Sequence, residues 1–148
     1  KQQPFGYKDP RFSYTLPVWK KFLPKNTKFI IMFRSPIVTA NSIVKECSTT
    51  KYLENLIMDH DNALKSWMSV YKHIIKNYEE EKENFLFVHY DQIYSGIGLE
   101  KVSKFLEAPI NNDFVEKKLK RSKTGNIDDH KIKDLYLNLC YLAAHEDQ

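Results

Sequence analysis

The stretch TKFIIMFRSPIVTANSIVKE, residues 27–46, decides the fold. Residues 28–33 form an apolar run too short for a helix and rich in β-formers, which predicts a fully buried strand. Arg34 follows directly, then Ser35 in an N-cap position and Pro36 at a first helical position. Ile37, Ala40, Val44 and Cys47 keep helical spacing to about residue 47, and Ser42 rides on that helix. A strand that delivers an Arg to a helix start suits a phosphate. The N–H groups and dipole of a helix N-terminus favour an anion, and guanidinium offers a planar, permanently charged fork. On the residues alone, Arg34 also suits a sheet-edge position paired with a carboxylate.

Outward from this stretch, the pattern alternates helix and strand. A short helix is expected over residues 11–23, with Leu16, Trp19, Phe22 and Leu23 on one side and Pro17 in its first turn. Apolar residues at three- and four-residue steps predict a long helix over residues 52–81. Residues 85–88 read as a second buried strand, leading into His89-Tyr90-Asp91. A loop over 95–98 and a short helix ending before Pro109 come next. Residues 108–130 are polar and basic and read mostly as loop, and a last helix covers about 131–144. Strands separated by helices predict parallel pairing and an α/β fold in one domain, with no repeat and no internal boundary.

Bulk composition narrows the function classes. The 148 residues carry a formal charge of +4, with 42% hydrophobic and 28% charged residues. That is an ordinary globular balance, able to bury a core. The mild basicity suits a small anionic ligand or acceptor rather than nucleic acid. Cys47 and Cys140 stand in no metal or redox spacing and read as thiols of a reducing compartment. The histidines show no ligand spacing, so no metal is expected. No apolar run is long enough to span a membrane. The chain starts at Lys1 rather than Met, so a natural N-terminus and any targeting signal are expected to lie upstream.

Three segments together resemble one family. Arg34-Ser35-Pro36, with Ser42 eight residues after the Arg, is similar to the 3′-phosphate-binding segment of PAPS-dependent sulfotransferases. Residues 85–91, FLFVHYD, resemble the later strand of that family, which ends in a Tyr followed by an acid. Lys8-Asp9-Pro10-Arg11, followed by Leu16-Pro17-Val18-Trp19, resembles its bacterial and related members. The resemblance implies a P-loop-NTPase-like parallel sheet flanked by helices. It implies 3′-phosphoadenosine 5′-phosphosulfate as donor and adenosine 3′,5′-bisphosphate as product. Arg34 and Ser42 take the 3′-phosphate role and Tyr90 a nucleotide contact. Arg121, in the basic run 117–123, matches a late segment that closes over the phosphate. Lys8 fits the cationic role on the transferring sulfuryl oxygens, and Asp9 that of a base or of an anchor for Lys8 or Arg11. Family members with a His at that edge differ from this chain. Without the family, Tyr90 suits a ring packed under a loop, Asp9 and Arg11 suit a surface pair, and Arg121 suits a solvated basic face.

One expected part is missing. Nothing in residues 1–26 resembles the Gly- and Ser/Thr-rich loop that holds the 5′-phosphosulfate, and no G-x-x-x-x-G-K-[ST] occurs. The expectation is therefore a single sulfotransferase-like domain over residues 1–148, a fragment incomplete at its N-terminus. It would pass sulfate to a hydroxyl or amine of a sugar, lipid or small metabolite, in the cytoplasm, with homo-oligomerisation left open. The rival readings are a P-loop phosphotransferase, indifferent to a 3′-phosphate, and a degenerate module that packs against a partner.

Overall fold

The computed structural model describes residues 5–53, 55–111, 113, 115 and 125–146. It is an α/β structure, mostly helical, around two parallel strands. β1 (Phe29–Phe33) pairs with β2 (Phe85–His89) in the register Phe29↔Phe85 to Phe33↔His89. Between them run α2 (Pro36–Thr49) and α3 (His60–Glu80). α1 (Phe12–Trp19) precedes the sheet, and α4 (Tyr90–Ser95), α5 (Ile97–Leu106) and α6 (His130–Leu142) follow it.

The two faces of the sheet are covered unequally. Phe33, Phe85 and Phe87 face the main core with Trp67 and Ile74 of α3 and with Tyr136 and Leu139 of α6. On the other face, α5 covers β2. A Cβ at Gly98 would meet Val88 Cγ1 and the Gln92 carbonyl carbon at 2.9 Å, so glycine permits that approach. Among the described residues no element covers β1 in this way, and Met32 is 50% exposed. Ile30 and Met32 border an apolar groove of about 390 Å³, closed on its far side by Ile93, Leu99, Val102 and Ile110.

Local chemistry sets most element ends. Pro36 opens α2, where its missing N–H leaves no helix bond unmade. Asp129 caps α6 by accepting from Lys131 N and Ile132 N. Several expectations need correcting. β1 is exposed at Ile30 and Met32 rather than fully buried, because only one of its faces meets the main core. Pro17 lies inside α1 rather than in its first turn. The long helix begins at His60 rather than residue 52, because Asp59 accepts from Asn62 N at 2.7 Å and fixes the start there. The apolar spacing of Leu53, Leu56 and Ile57 is not a buried stripe, since Leu56 and Ile57 are exposed. No helix was expected at residues 90–95, which form α4, and the loop expected over 95–98 shrinks to Gly96, in the left-handed region between α4 and α5. Gln92 Oε1 accepts the His89 N–H and His89 Nδ1 accepts the Asp91 N–H, a capping arrangement that turns β2 straight into helix. Among the described residues no helix is long and apolar enough to cross a membrane.

Candidate functional site

Because the strands are parallel and Phe33 pairs with His89, Arg34 and Tyr90 leave the carboxyl edge side by side. The Arg34 guanidinium carbon lies 4.4 Å from the centre of the Tyr90 ring, and the Tyr90 and Tyr94 hydroxyls meet at 2.6 Å. Stacking on an aromatic face holds the guanidinium in place. The hydrogen bond with Tyr90 is the main cause that pushes the Tyr94 phenol up; burial and the Tyr90 charge add to it, and the Arg34 charge opposes them. Next to this pair, α2 starts without a side-chain cap from Ser35, whose carbonyl accepts from Thr39 N and Thr39 Oγ1. The edge therefore combines a fixed cation, an aromatic plane and a helix N-terminus, a set suited to an aromatic anion such as a nucleotide phosphate.

The remaining site residues of the sequence reading fall less close together. Ser42 donates to Val38 O at 3.0 Å within its own helix. Helical rise sets it about 10 Å along the axis from Ser35, and no hydrogen bond links it to Arg34. Asp9 holds Arg11 with both carboxylate oxygens, at 3.0 Å to Nε and 2.6 Å to Nη2. Those hydrogen bonds lower the Asp9 pKa from 3.8 to about 2. Asp9 is accordingly a weak base at neutral pH and an anchor for Arg11. Lys8 is exposed. α1 runs along α3 in the same direction, with Tyr14 beside His73 and Lys20 beside Glu80. α3 runs against the strands, since Tyr78 packs on Phe85 and the Tyr71 hydroxyl donates to Met32 O. The segment before α1 therefore points toward the same end of the molecule as Arg34 and Tyr90. Arg121 lies outside the described residues.

No family model, curated protein or solved structure matches this chain.

The fold also assembles a group that the sequence reading missed. His89 is buried, its Nδ1 accepts from Asp91 N at 3.2 Å, and its Nε2 faces the Tyr136 hydroxyl at 3.2 Å. A backbone N–H can only donate, so the ring proton belongs on Nε2. The His145 ring stacks on His89 with centroids 3.9 Å apart and planes 10° apart. Asp91 Oδ2 lies 3.9 Å from His89 Nδ1, so His89, Asp91 and His145 draw ligand atoms within 4.8 Å of one another. Imidazole binds a metal in its ring plane, and two stacked rings share no plane, so a cation held by both would require the stack to open. His89-Tyr90-Asp91-Gln92 carried the capping signal in sequence. Nothing in the sequence pairs His145 with His89, because their contact spans the whole second half of the fold.

Proposed function

We propose that this chain is the nucleotide-recognising part of a PAPS-dependent sulfotransferase with a P-loop-type α/β fold. The observation that carries this reading is the Arg34 guanidinium held on the Tyr90 ring at the carboxyl edge of the parallel pair. Open α/β sheets take ligands at that edge, and the two residues come from the two segments that resemble the family. In this reading Arg34 takes the 3′-phosphate and Tyr90 flanks the nucleotide. Ser42 adds a hydroxyl further along α2; Arg121 is assigned by the resemblance alone and lies outside the described residues. Lys8 neutralises charge on the sulfuryl oxygens during in-line transfer to a hydroxyl or amine. The acceptor proton requires a stronger base than Asp9, whose carboxylate is already held by Arg11.

Calorimetric titration with adenosine 3′,5′-bisphosphate and with 5′-AMP tests it. The bisphosphate binds more tightly, and the preference disappears in Arg34→Ala. Equal affinity for the two nucleotides, or a preference that survives the substitution, overturns the reading and a P-loop phosphotransferase gains. A second reading, a non-catalytic module that packs on a partner, draws on the half-exposed Met32 and the apolar groove beside β1. It predicts no nucleotide binding at all.

A further inference from the structure

The segment before β1 is strongly basic. Residues 5–28 carry Lys8, Arg11, Lys20, Lys21, Lys25 and Lys28 against the single acid Asp9, while the chain from residue 29 onward has more acids than bases. The same segment displays its apolar side chains outward. Ser13 and Leu16 of α1 turn to the core, but Val18 is 62% exposed, Trp19 49% and the following Phe22 75%. Phe5 and Tyr7, in edge contact just upstream, are exposed as well.

A monomer gains nothing from holding an aliphatic, an indole and a phenyl side chain in water on one turn of chain. Some of the surrounding cations are occupied: Arg11 by Asp9, Lys20 by Glu80 and Glu81, and Lys28 by Glu83 O and the Phe105 ring. Lys21 and Lys25 are exposed, and their ammonium groups make no hydrogen bond or ion pair among the described residues.

We infer that this face, built on Val18, Trp19 and Phe22 and flanked by Lys21 and Lys25, docks the protein on an anionic lipid surface. The inference is independent of the nucleotide reading. Charge complementarity selects the occupant: lysines reach phosphate headgroups while their stems and the neighbouring Trp and Phe enter the interface. The shape agrees. The side chains stand on the outside of a helix, which suits a lipid interface, rather than in the groove that tracks a nucleic-acid backbone.

Sedimentation with phosphatidylcholine vesicles, with and without phosphatidylserine, tests this. The 148-residue chain sediments with the phosphatidylserine vesicles only, less so at high salt. Its emission shifts to the blue from Trp19, since Trp67 is already buried. Lys21→Glu with Lys25→Glu weakens binding by about tenfold or more, and Phe22→Ser removes the emission shift. Lys133→Glu, exposed on α6, leaves both readouts unchanged. These substitutions are on the surface, so folding is retained and checked by circular dichroism. Absence of phosphatidylserine-dependent sedimentation overturns the inference. So does sedimentation that survives both the charge reversals and Phe22→Ser, or retention on single-stranded DNA or an acidic protein without vesicle binding.

Discussion

In this fold the Tyr90 ring covers one face of the Arg34 guanidinium. The substitution that separates charge from shape is therefore Arg34→Lys. A lysine preserves the charge but loses the planar fork and the stack. Arg34→Ala lowers bisphosphate affinity by about 10- to 100-fold, the range for a hydrogen bond to a charged group. Arg34→Lys recovers only part of that, as titration of the two variants side by side will read. Equal affinity in Arg34→Lys and the unmodified protein would mean that a point charge suffices. Asp9 gives a second prediction at this scale. Its folded pKa is depressed by Arg11, so the pair is fully formed above the unfolded value of 3.8 and is lost as pH falls through about 2. A carboxyl titration followed by NMR places the Asp9 midpoint near 2, and Arg11→Ala returns it toward 3.8. A midpoint already near 3.8 in the unmodified protein would dissolve the pair and restore Asp9 as a candidate base.

At the C-terminal end of α6, His145 N donates to Cys140 O at 2.9 Å and Ala144 N to Tyr141 O at 3.0 Å. This is the double bond of a Schellman ending, and it puts Ala144 at φ 45°, in the left-handed region. Alanine is strained there and glycine is not. Ala144→Gly therefore raises stability by up to about 1 kcal/mol, or about 2–4 °C in melting temperature for a chain of this size. A scan that finds no gain would show that the flexibility added to the unfolded chain offsets the relieved strain. Element ends of this kind also mark where the sequence was legible. Both strands were readable because a short, wholly apolar run has few other uses. Arg34 and Tyr90, which follow the strands, were singled out by anion chemistry and the resemblance, and the parallel register sets them side by side. The start of α3 was misread because Leu53, Leu56 and Ile57 mimic helical spacing, while the decisive signal was the single Asp59 cap. The helix at residues 90–95 was missed because its few residues carry no apolar stripe, and its start depends on side chains of His89 and Gln92 folding back onto the backbone.

Across the whole molecule, Gln92 ties the carboxyl edge of the sheet to the end of the last helix. Its Oε1 accepts from His89 N, and its Nε2 donates to Ala143 O at 3.0 Å and Ala144 O at 3.1 Å, partners 51 and 52 residues away. Lys101 Nζ also donates to Ala143 O, and burial lowers the Lys101 pKa. The same junction holds His145 against His89, one residue from Tyr90. Gln92 is buried and its amide satisfies three backbone groups at once, so no apolar residue of equal size replaces it. Gln92→Leu costs about 1–3 kcal/mol, because it leaves the buried His89 N–H without this partner. Gln92→Glu keeps the size and tests the chemistry. Ionised, it aims a carboxylate at two carbonyl oxygens and can donate to neither. Burial and those oxygens raise its folded pKa above the unfolded value of about 4.3. A raised folded pKa means that the native state binds the proton more tightly. Stability relative to the parent is therefore lowest above the folded pKa, and the deficit narrows as pH falls toward the unfolded one. Urea midpoints for the parent, Gln92→Leu and Gln92→Glu across acidic and neutral pH separate the cases. Gln92→Leu keeps a deficit that does not depend on pH, and Gln92→Glu recovers on acidification. If Gln92→Leu matches the parent at every pH, the strand-to-helix junction does not depend on this amide, and α6 is held to the sheet by its apolar face alone.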